Sequence, residues 1–193
     1  MQKHVPKPAT YEDLLRVPDH LVAEIVDGEL YTSPRPATPH AVASSVLGAL
    51  LMPPFQFGRD GPGGWWILDE PELHFGADVV VPDLAGWRRE RMPFVPNVPW
   101  LDLAPDWICE ALSPSTSRLD RFKKLPIYAR ENVAYAWIID ANLQSFEAFR
   151  LEDGRWTYIA QETGDQLIRV EPFEAVQINL AELWLPTPPP PQS

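Results

Sequence analysis

Two nearly continuous apolar segments, each interrupted by one acidic residue, constrain the fold of this chain more than any other feature. They span residues 78–87 and 106–113, and the interrupting acids are Asp83 and Glu110. Apolar runs of this kind are typical of strands that are buried on both faces of a sheet. Helical and strand patterns alternate around them. The sequence therefore predicts an α/β (α+β) domain with a mixed central β-sheet flanked by helices.

The rest of the chain supplies the partners of these two strands. Thr10 is a predicted helix N-cap, and Asp27-Gly28 is a strong hairpin turn signal. The other predicted elements are helices at residues 11–16, 39–56, 115–131 and 180–184 and strands at residues 21–26, 29–32, 65–68, 72–75, 133–140, 144–150 and 155–161.

Composition limits the class of protein. A length of 193 residues fits one domain, and 45% hydrophobic with 22% charged residues excludes a chain that is mainly disordered. The single cysteine, Cys109, excludes a disulfide scaffold. No apolar run reaches the roughly 18 residues of a membrane-spanning helix, and the first residues lack the apolar core of a signal peptide. We therefore expect a cytoplasmic protein that does not contact a membrane.

The two ends of the chain differ from its middle. Five of the 23 prolines fall in the last eight residues, 186–193, and such a tail is expected to form polyproline II or to be disordered. We divide the chain into an N-terminal arm at residues 1–9, a single domain at residues 10–185 and the proline-rich tail.

The charge is negative overall but unevenly distributed. The formal net charge of −11 disfavours nonspecific binding of a long nucleic-acid backbone. Half of the 16 lysine and arginine residues nevertheless lie between positions 88 and 130. They fit either a solvated helix face, which charge alone favours, or a local phosphate site.

Asp83 and Glu110 are candidates for chemistry because each shares a strand face with apolar neighbours. A carboxylate in such a setting is costly to desolvate unless it is paired, hydrogen-bonded or bound to a metal. Structural roles are also possible for each acid. Asp83 could cap a turn after Pro82, and Glu110 could pair with an arginine such as Arg121.

A third element changes the balance between these interpretations. Asp120, Lys124 and Tyr128 are spaced i, i+4, i+8 and lie on one face of the predicted helix. Because only residues 113–116 join this helix to the strand of Glu110, Lys124 can return over the end of that strand. Its alternative role is that of an exposed partner of Asp120.

Two carboxylates and a lysine make chemical sense as a group. Hard oxygen ligands suit Mg²⁺ or Mn²⁺, and such an ion lowers the pKa of a bound water and neutralises charge on a phosphoryl oxygen. An ammonium group can stabilise the attacking hydroxide or the developing charge. Such a group would suit metal-assisted chemistry on a phosphate, and the structural roles of these residues stay open.

Several segments, taken in order, resemble a known family. Their order and spacing look like those of the bacterial restriction-endonuclease-domain family, which belongs to the PD-(D/E)XK nuclease superfamily. The resemblance covers about residues 10–185. The matching segments are residues 24–30, 33–40, 82–83, 110–116 (EALSPST), 120–129 (DRFKKLPIYA) and 133–140.

The resemblance implies a restriction-endonuclease-like fold and a metal-dependent endonuclease. Such an enzyme hydrolyses phosphodiester bonds by attack of water and releases the 3′-oxygen. The implied cofactor is Mg²⁺ or Mn²⁺. The implied substrate is a nucleic acid, with DNA expected over RNA, and a homodimer would allow both strands of a duplex to be cut.

The family pattern also implies a role for each matching residue. Asp83 and Glu110 would bind the metal, and Lys124 would stabilise the hydroxide or the transition state. Glu24 would assist as a further catalytic acid that reaches the metal through water. The two residues assigned to substrate binding are His40 and Arg121.

The chain departs from this pattern at two places. The position two residues after Glu110 is Leu112, so the usual spacing of the lysine is not met and the helical Lys124 takes that role. Residues 132–137 read NVAYAW where relatives carry a run like GVPEYW. The missing glycine and glutamate affect helix termination and a supporting polar contact.

Two other functions therefore stay open. The altered 132–137 run, the acidic charge and the proline-rich tail fit a catalytically silent relative that acts as an interaction or structural protein. The acidic surface also suits a metalloenzyme that acts on a small phosphate ester.

Overall fold

A six-stranded mixed sheet forms the centre of the protein in the computed structural model, which describes residues 7–186. Residues 1–6 of the predicted arm and 187–193 of the predicted tail lie outside the described residues. The strands are β1 (Leu21–Val26), β2 (Glu29–Pro34), β3 (Trp65–Asp69), β4 (Leu73–Phe75), β5 (Asp78–Val80), β6 (Leu84–Arg88), β7 (Trp107–Ala111), β8 (Tyr135–Asp140), β9 (Ser145–Glu152), β10 (Arg155–Thr163), β11 (Leu167–Ile168) and β12 (Ile178–Asn179).

Helical segments cover this sheet and its edges. Some follow one another without a break: α2 continues into a π-helical turn, and α3, a second π-helical turn and α4 form one helix, here called the crossover helix. The segments are α1 (Tyr11–Leu14), α2 (Thr38–Leu51), the π turn Met52–Gln56, α3 (Ser117–Leu119), the π turn Asp120–Lys124, α4 (Leu125–Arg130) and a 3₁₀ helix at Leu180–Leu183.

The strands divide between three sheets. The central sheet has the order β10-β9-β8-β7-β6-β3, in which β7 and β8 are parallel and the other neighbours are antiparallel. A four-stranded antiparallel sheet has the order β2-β1-β5-β4, and β11 pairs with β12. The mixed central sheet flanked by helices is confirmed. The division into more than one sheet was not predicted.

The predicted strand at residues 78–87 is wrong as a single element. It divides into β5, which belongs to the four-stranded sheet, and β6, which belongs to the central sheet. The break falls at Pro82, which has no N–H to donate to a strand ladder. The chain thus passes from one sheet to the other at residues 81–83, and Asp83 lies at this passage.

The crossover helix joins the strands β7 and β8. Because these strands are parallel, a tight hairpin cannot connect them and the chain must cross over the sheet. The π turn of this helix precedes Pro126, whose ring nitrogen cannot donate to the carbonyl of Phe122, and the Leu125 N–H bonds instead to the Asp120 carbonyl. After the helix, Asn132 has a left-handed backbone with φ of 59°. Asparagine tolerates this conformation, so the helix can end here without a glycine.

The core lies on both faces of the central sheet, as two continuous apolar runs predicted. Along β7, Trp107 and Cys109 face the cluster that α2 covers, whereas Ile108 faces the cluster that the crossover helix covers. On the α2 side, Phe173 is fully buried and packs against four other aromatic rings at centroid distances of 4.6–5.5 Å. Those four rings belong to Phe55, Trp65, Trp107 and Trp137.

Within residues 7–186, no helix combines the length and the apolar character that crossing a bilayer requires.

Replacing Phe173 by alanine should destabilise the protein by about 3–5 kcal/mol, because the substitution leaves a cavity among four aromatic rings. The measurement is the free energy of unfolding from urea titration. Phe94→Ala is the matched control, since the Phe94 side chain is 86% exposed and its loss should change stability by less than about 0.5 kcal/mol. Equal effects of the two substitutions would contradict the description of this core.

Candidate active site

A cavity of about 60 Å³ lies where the passage between the two sheets meets β7 and the crossover helix. A water molecule occupies about 10–15 Å³ on this measure, so a few waters or an ion with its waters fit inside. The cavity brings together five of the six site residues that the sequence predicts. Those five are Glu24, His40, Asp83, Glu110 and Lys124.

Glu110 lies near the end of β7 and is 1% exposed. Its carboxylate accepts hydrogen bonds from the Tyr128 hydroxyl at 2.6 Å and from the Lys124 ammonium at 2.9 and 3.0 Å. Tyr128 and Lys124 both belong to the crossover helix. The helix therefore fixes the orientation of this acid through two donors.

Lys124 is buried, with 3% exposure, and is not the exposed side chain that the sequence also allowed. An ammonium has three N–H donors. Lys124 has acceptors at Glu24 Oε1 (2.9 Å), Glu110 and the Val81 carbonyl (3.0 Å), and Asp120 lies further away at 3.5 Å. One side chain thus connects both sheets to the crossover helix.

Glu24 holds the passage between the sheets in place from β1. Its Oε1 atom accepts a hydrogen bond from the Val81 N–H at 2.7 Å, in addition to its contact with Lys124. The side chain is buried. Glu24 therefore both lines the cavity and supports the backbone that carries Asp83.

Asp83 makes long-range contacts rather than the local turn cap that the sequence also allowed. Its Oδ2 atom accepts a hydrogen bond from the Ala111 N–H at 2.7 Å, and its Oδ1 atom lies 3.1 Å from His40 Nε2. Burial lowers the pKa of His40, but Asp83 outweighs burial and raises this pKa above its ordinary 6.5. Asp83 thus joins the end of β7 to α2.

Two residues of the site were not assigned from the sequence. Asp120 is buried and lines the cavity, and Tyr128 is fully buried and bonds to Glu110. The signal was present, because both share the helix face of Lys124 at four-residue spacing. Assigning all three residues of that face to the site would have found them.

Arg121 lies elsewhere. Its guanidinium forms a two-point ion pair with Glu147 on β9, at 2.6 and 3.0 Å. It is neither the partner of Glu110 nor a lining residue of the cavity. Its assignment to substrate binding stays a prediction without support from this arrangement.

The site carries more negative than positive charge. Five acidic side chains line the cavity together with one lysine, Lys124: Glu24, Glu70, Asp83, Glu110 and Asp120. Burial raises the pKa of Glu110 well above its ordinary 4.5, neighbouring carboxylates raise it further, and Lys124 lowers it only in part. Burial likewise raises the pKa of Asp120.

Lys124 is protonated in this setting. Burial lowers its pKa, but Glu110 and Glu24 outweigh burial and hold that pKa well above its ordinary 10.5. Lys124 and a protonated His40 together cannot balance the five acids when these are ionised. A further cation at the cavity would therefore be electrostatically favourable.

The carboxylates have the chemistry that a hard cation needs. An ionised carboxylate offers about four lone-pair sites, of which the named contacts of Asp83 occupy two and those of Glu110 three. Within residues 7–186, no three His, Cys, Asp or Glu side chains converge as ligands of one ion. Mg²⁺ commonly takes one or two protein carboxylates and keeps several waters, so the donor set fits such an ion.

The site thus combines acids near the strand ends of a mixed sheet with a lysine on the helix that crosses over that sheet. A crystal structure described as a "putative nuclease belonging to DUF820" from Anabaena variabilis ATCC 29413 has a similar fold. It is 22% identical to the chain with a TM-score of 0.69, over 91% of this chain and 97% of that one.

The chain belongs to the Uma2 family, whose description is "Putative restriction endonuclease" and which matches residues 8–181. The resemblance found in the sequence and the predicted fold are thereby confirmed. The family supports a nuclease role. No curated protein is significantly similar to the chain.

Replacing Lys124 by methionine should destabilise the protein by about 3–5 kcal/mol, because it leaves buried carboxylates without their cation. Urea unfolding measures the loss. Lys123→Met is the matched control. Lys123 is the adjacent residue and pairs with Asp27 at the surface, so its loss should leave stability unchanged.

The loss in Lys124→Met should be larger at about pH 8 than at about pH 5. The raised pKa of Glu110 means that the folded state prefers its protonated form, so this group contributes less stability as pH rises above 4.5. Without Lys124 the preference for the protonated form increases, and acid relieves the repulsion. A loss that is independent of pH would contradict this account of the site.

Proposed function

We propose that the protein is a metal-dependent endonuclease that hydrolyses phosphodiester bonds of nucleic acid. The observation that carries the proposal is the group of Asp83, Glu110 and Lys124 around one cavity, in a chain of a restriction-endonuclease family. The family favours DNA as the substrate. A homodimer belongs to the proposal where both strands of a duplex are cut.

In this proposal Asp83 and Glu110 hold Mg²⁺ or Mn²⁺. When bound, such an ion polarises a phosphoryl oxygen and lowers the pKa of a water. The Asp83 carboxylate accepts a hydrogen bond from the backbone N–H of Ala111, the residue that follows Glu110. That bond holds the Asp83 side chain beside the strand that carries Glu110.

The other residues position these acids and the reacting groups. Lys124 places its ammonium at the cavity wall, where a negative charge on an attacking water or a phosphoryl oxygen would be stabilised. Glu24 holds Lys124 and the Val81 backbone, and Tyr128 orients Glu110. His40 orients Asp83 and lies close enough to the cavity to meet a substrate oxygen.

One observation favours a second candidate, a catalytically silent relative. Lys124 and Tyr128 contact both oxygens of Glu110, and a cation must share this carboxylate with them. If the lysine and the tyrosine keep the acid for themselves, the same site is a structural ion-pair network. A titration with Mn²⁺ followed by calorimetry separates the two candidates, because only the first binds metal in a Glu110-dependent way.

The nuclease proposal predicts that wild type cleaves supercoiled plasmid or single-stranded DNA with Mg²⁺ or Mn²⁺ at low salt. Asp83→Asn and Glu110→Gln should each lower the rate at least about a hundredfold, since losing a metal ligand removes several kcal/mol of transition-state stabilisation. Asp102→Asn is the control, because Asp102 is exposed and lies outside the cavity. The measurement is the initial rate of nicking or shortening.

The outcomes separate cleanly. Cleavage that is equal in all four proteins would assign the activity to a contaminant or to a different site. Absence of cleavage together with absence of metal binding would favour the silent relative. Cleavage of small phosphodiesters alone, with DNA intact, would move the substrate to a small phosphate ester.

A further inference from the structure

Most lysine and arginine side chains in the middle of the chain contact other groups of the protein, and one of them does not within the described structure. Of the eight lysine and arginine residues at positions 88–130, seven contact a carboxylate, a backbone carbonyl or an aromatic ring within the described structure. These seven are Arg88, Arg89, Arg91, Arg121, Lys123, Lys124 and Arg130.

Arg118 differs from these seven. It is exposed and makes no ion pair or side-chain hydrogen bond with any residue in the range 7–186. It belongs to the crossover helix, six residues before Lys124. At about 1.5 Å per residue, this separates the two residues by about 9 Å along the helix axis, which a short length of nucleic-acid strand can span.

Phe122 is a second residue of this helix whose exposure has no role in the packing described above. It lies four residues after Arg118, so the two side chains are neighbours on one helix face. Phe122 is 70% exposed, although its flanking helical residues Asp120 and Lys124 are buried. The π turn carries the buried pair into the site and leaves the phenyl ring in solvent beside it.

Arg118 and Phe122 line a cleft of about 330 Å³, here called the Phe122 cleft. This volume lies in the range of small-ligand sites. The cleft adjoins the cavity of the candidate active site, here called the catalytic cavity, because Ser33 of β2 lines both. Its principal lining residues are Tyr31, Ser33, Ser115, Arg118, Phe122 and Lys123.

We propose that the Phe122 cleft binds one unstacked nucleotide of a single-stranded nucleic acid, with its base on the Phe122 ring and its phosphate at Arg118. The inference rests on the proposed function, since the neighbouring phosphate of the same strand would lie in the catalytic cavity.

The chemistry favours a single strand over a duplex. An aromatic ring can stack on a base only when that base has left its own stack. A duplex would also bring a dense line of phosphates to a chain with a net charge of −11. A single strand needs few phosphate contacts here, and one free arginine provides one.

The test measures binding separately from cleavage. A labelled single strand of about 12 nucleotides, within the range that one binding surface covers, is titrated with the full chain in EDTA at low salt and followed by fluorescence anisotropy. Phe122→Ala should weaken binding about tenfold or more, as expected for the loss of one stacked base. Phe122→Tyr should restore it, and Phe94→Ala, which removes an exposed ring elsewhere, should have no effect.

Two further measurements report on the base and the phosphate. A strand with one abasic nucleotide, moved along its length, should lose affinity at one position for wild type and at none for Phe122→Ala. Arg118→Gln should reduce the slope of log affinity against log salt by about 0.7, the value for one phosphate contact on a single strand. The matched duplex should bind more weakly than the single strand.

Several results would overturn the inference. They are equal affinities of wild type and Phe122→Ala, absence of binding by wild type, tighter binding of the duplex, or a change of oligomeric state in Phe122→Ala, which would make the ring a contact between copies of the chain.

Failure of the proposed function looks different from failure of this inference. Cleavage by wild type but not by Asp83→Asn, with Phe122 irrelevant to binding, removes only the inference. Binding through Phe122 without any cleavage would overturn the nuclease proposal and support the strand-binding cleft.

Discussion

The arrangement of the site depends on the buried ammonium of Lys124. It contacts Glu24 of the four-stranded sheet, the Val81 carbonyl at the passage between the sheets, and Glu110 of the central sheet. Both sheets and the passage between them therefore share one cation. Because the surrounding carboxylates outnumber it, the same contacts that hold the parts together leave the cavity with an excess of negative charge. Such a site is stabilised by its lysine and remains receptive to a second cation.

The position of Asp83 shows where sequence reasoning reached its limit for the fold. The apolar run at 78–87 indicated a buried strand, and both of its halves are buried strands. Periodicity does not reveal that the halves pair in different sheets, since that depends on β1 and β3, which are distant in sequence. Pro82 was the available signal, because a residue without an N–H is unfavourable in a central ladder. The elements with strong local signals, such as the hairpin at Asp27-Gly28, were predicted at their observed positions.

The acids of the site could be predicted from the sequence because the cost of removing a carboxylate from water can be inferred from its apolar neighbours. An acid flanked by apolar residues on a strand must have partners, and this argument selected Asp83 and Glu110 without any structure. The identity of the partners needed tertiary information. Arg121 and Lys124 are both cations of the same helix, yet Arg121 turns to Glu147 on β9 and Lys124 to Glu110. Glu147 lies within reach of Arg121 because the register of β8 against β9 sets Glu147 opposite Ile138. This register is not visible in the sequence.

The proposed nuclease function is compatible with a net charge of −11 if recognition of the substrate is local. A protein that follows a long backbone needs many lysine and arginine contacts, whereas here most central cations are used internally, to close ion pairs or to stack on tryptophan rings. Affinity must then come from a few concentrated interactions. In the proposed function, a divalent cation held by two carboxylates would attract one phosphate strongly, and an exposed aromatic ring would add stacking energy that does not come from charge pairing. For the proposed nuclease, the distribution of charge therefore favours a substrate that presents a flexible strand to one cavity over a substrate that lies along the protein surface.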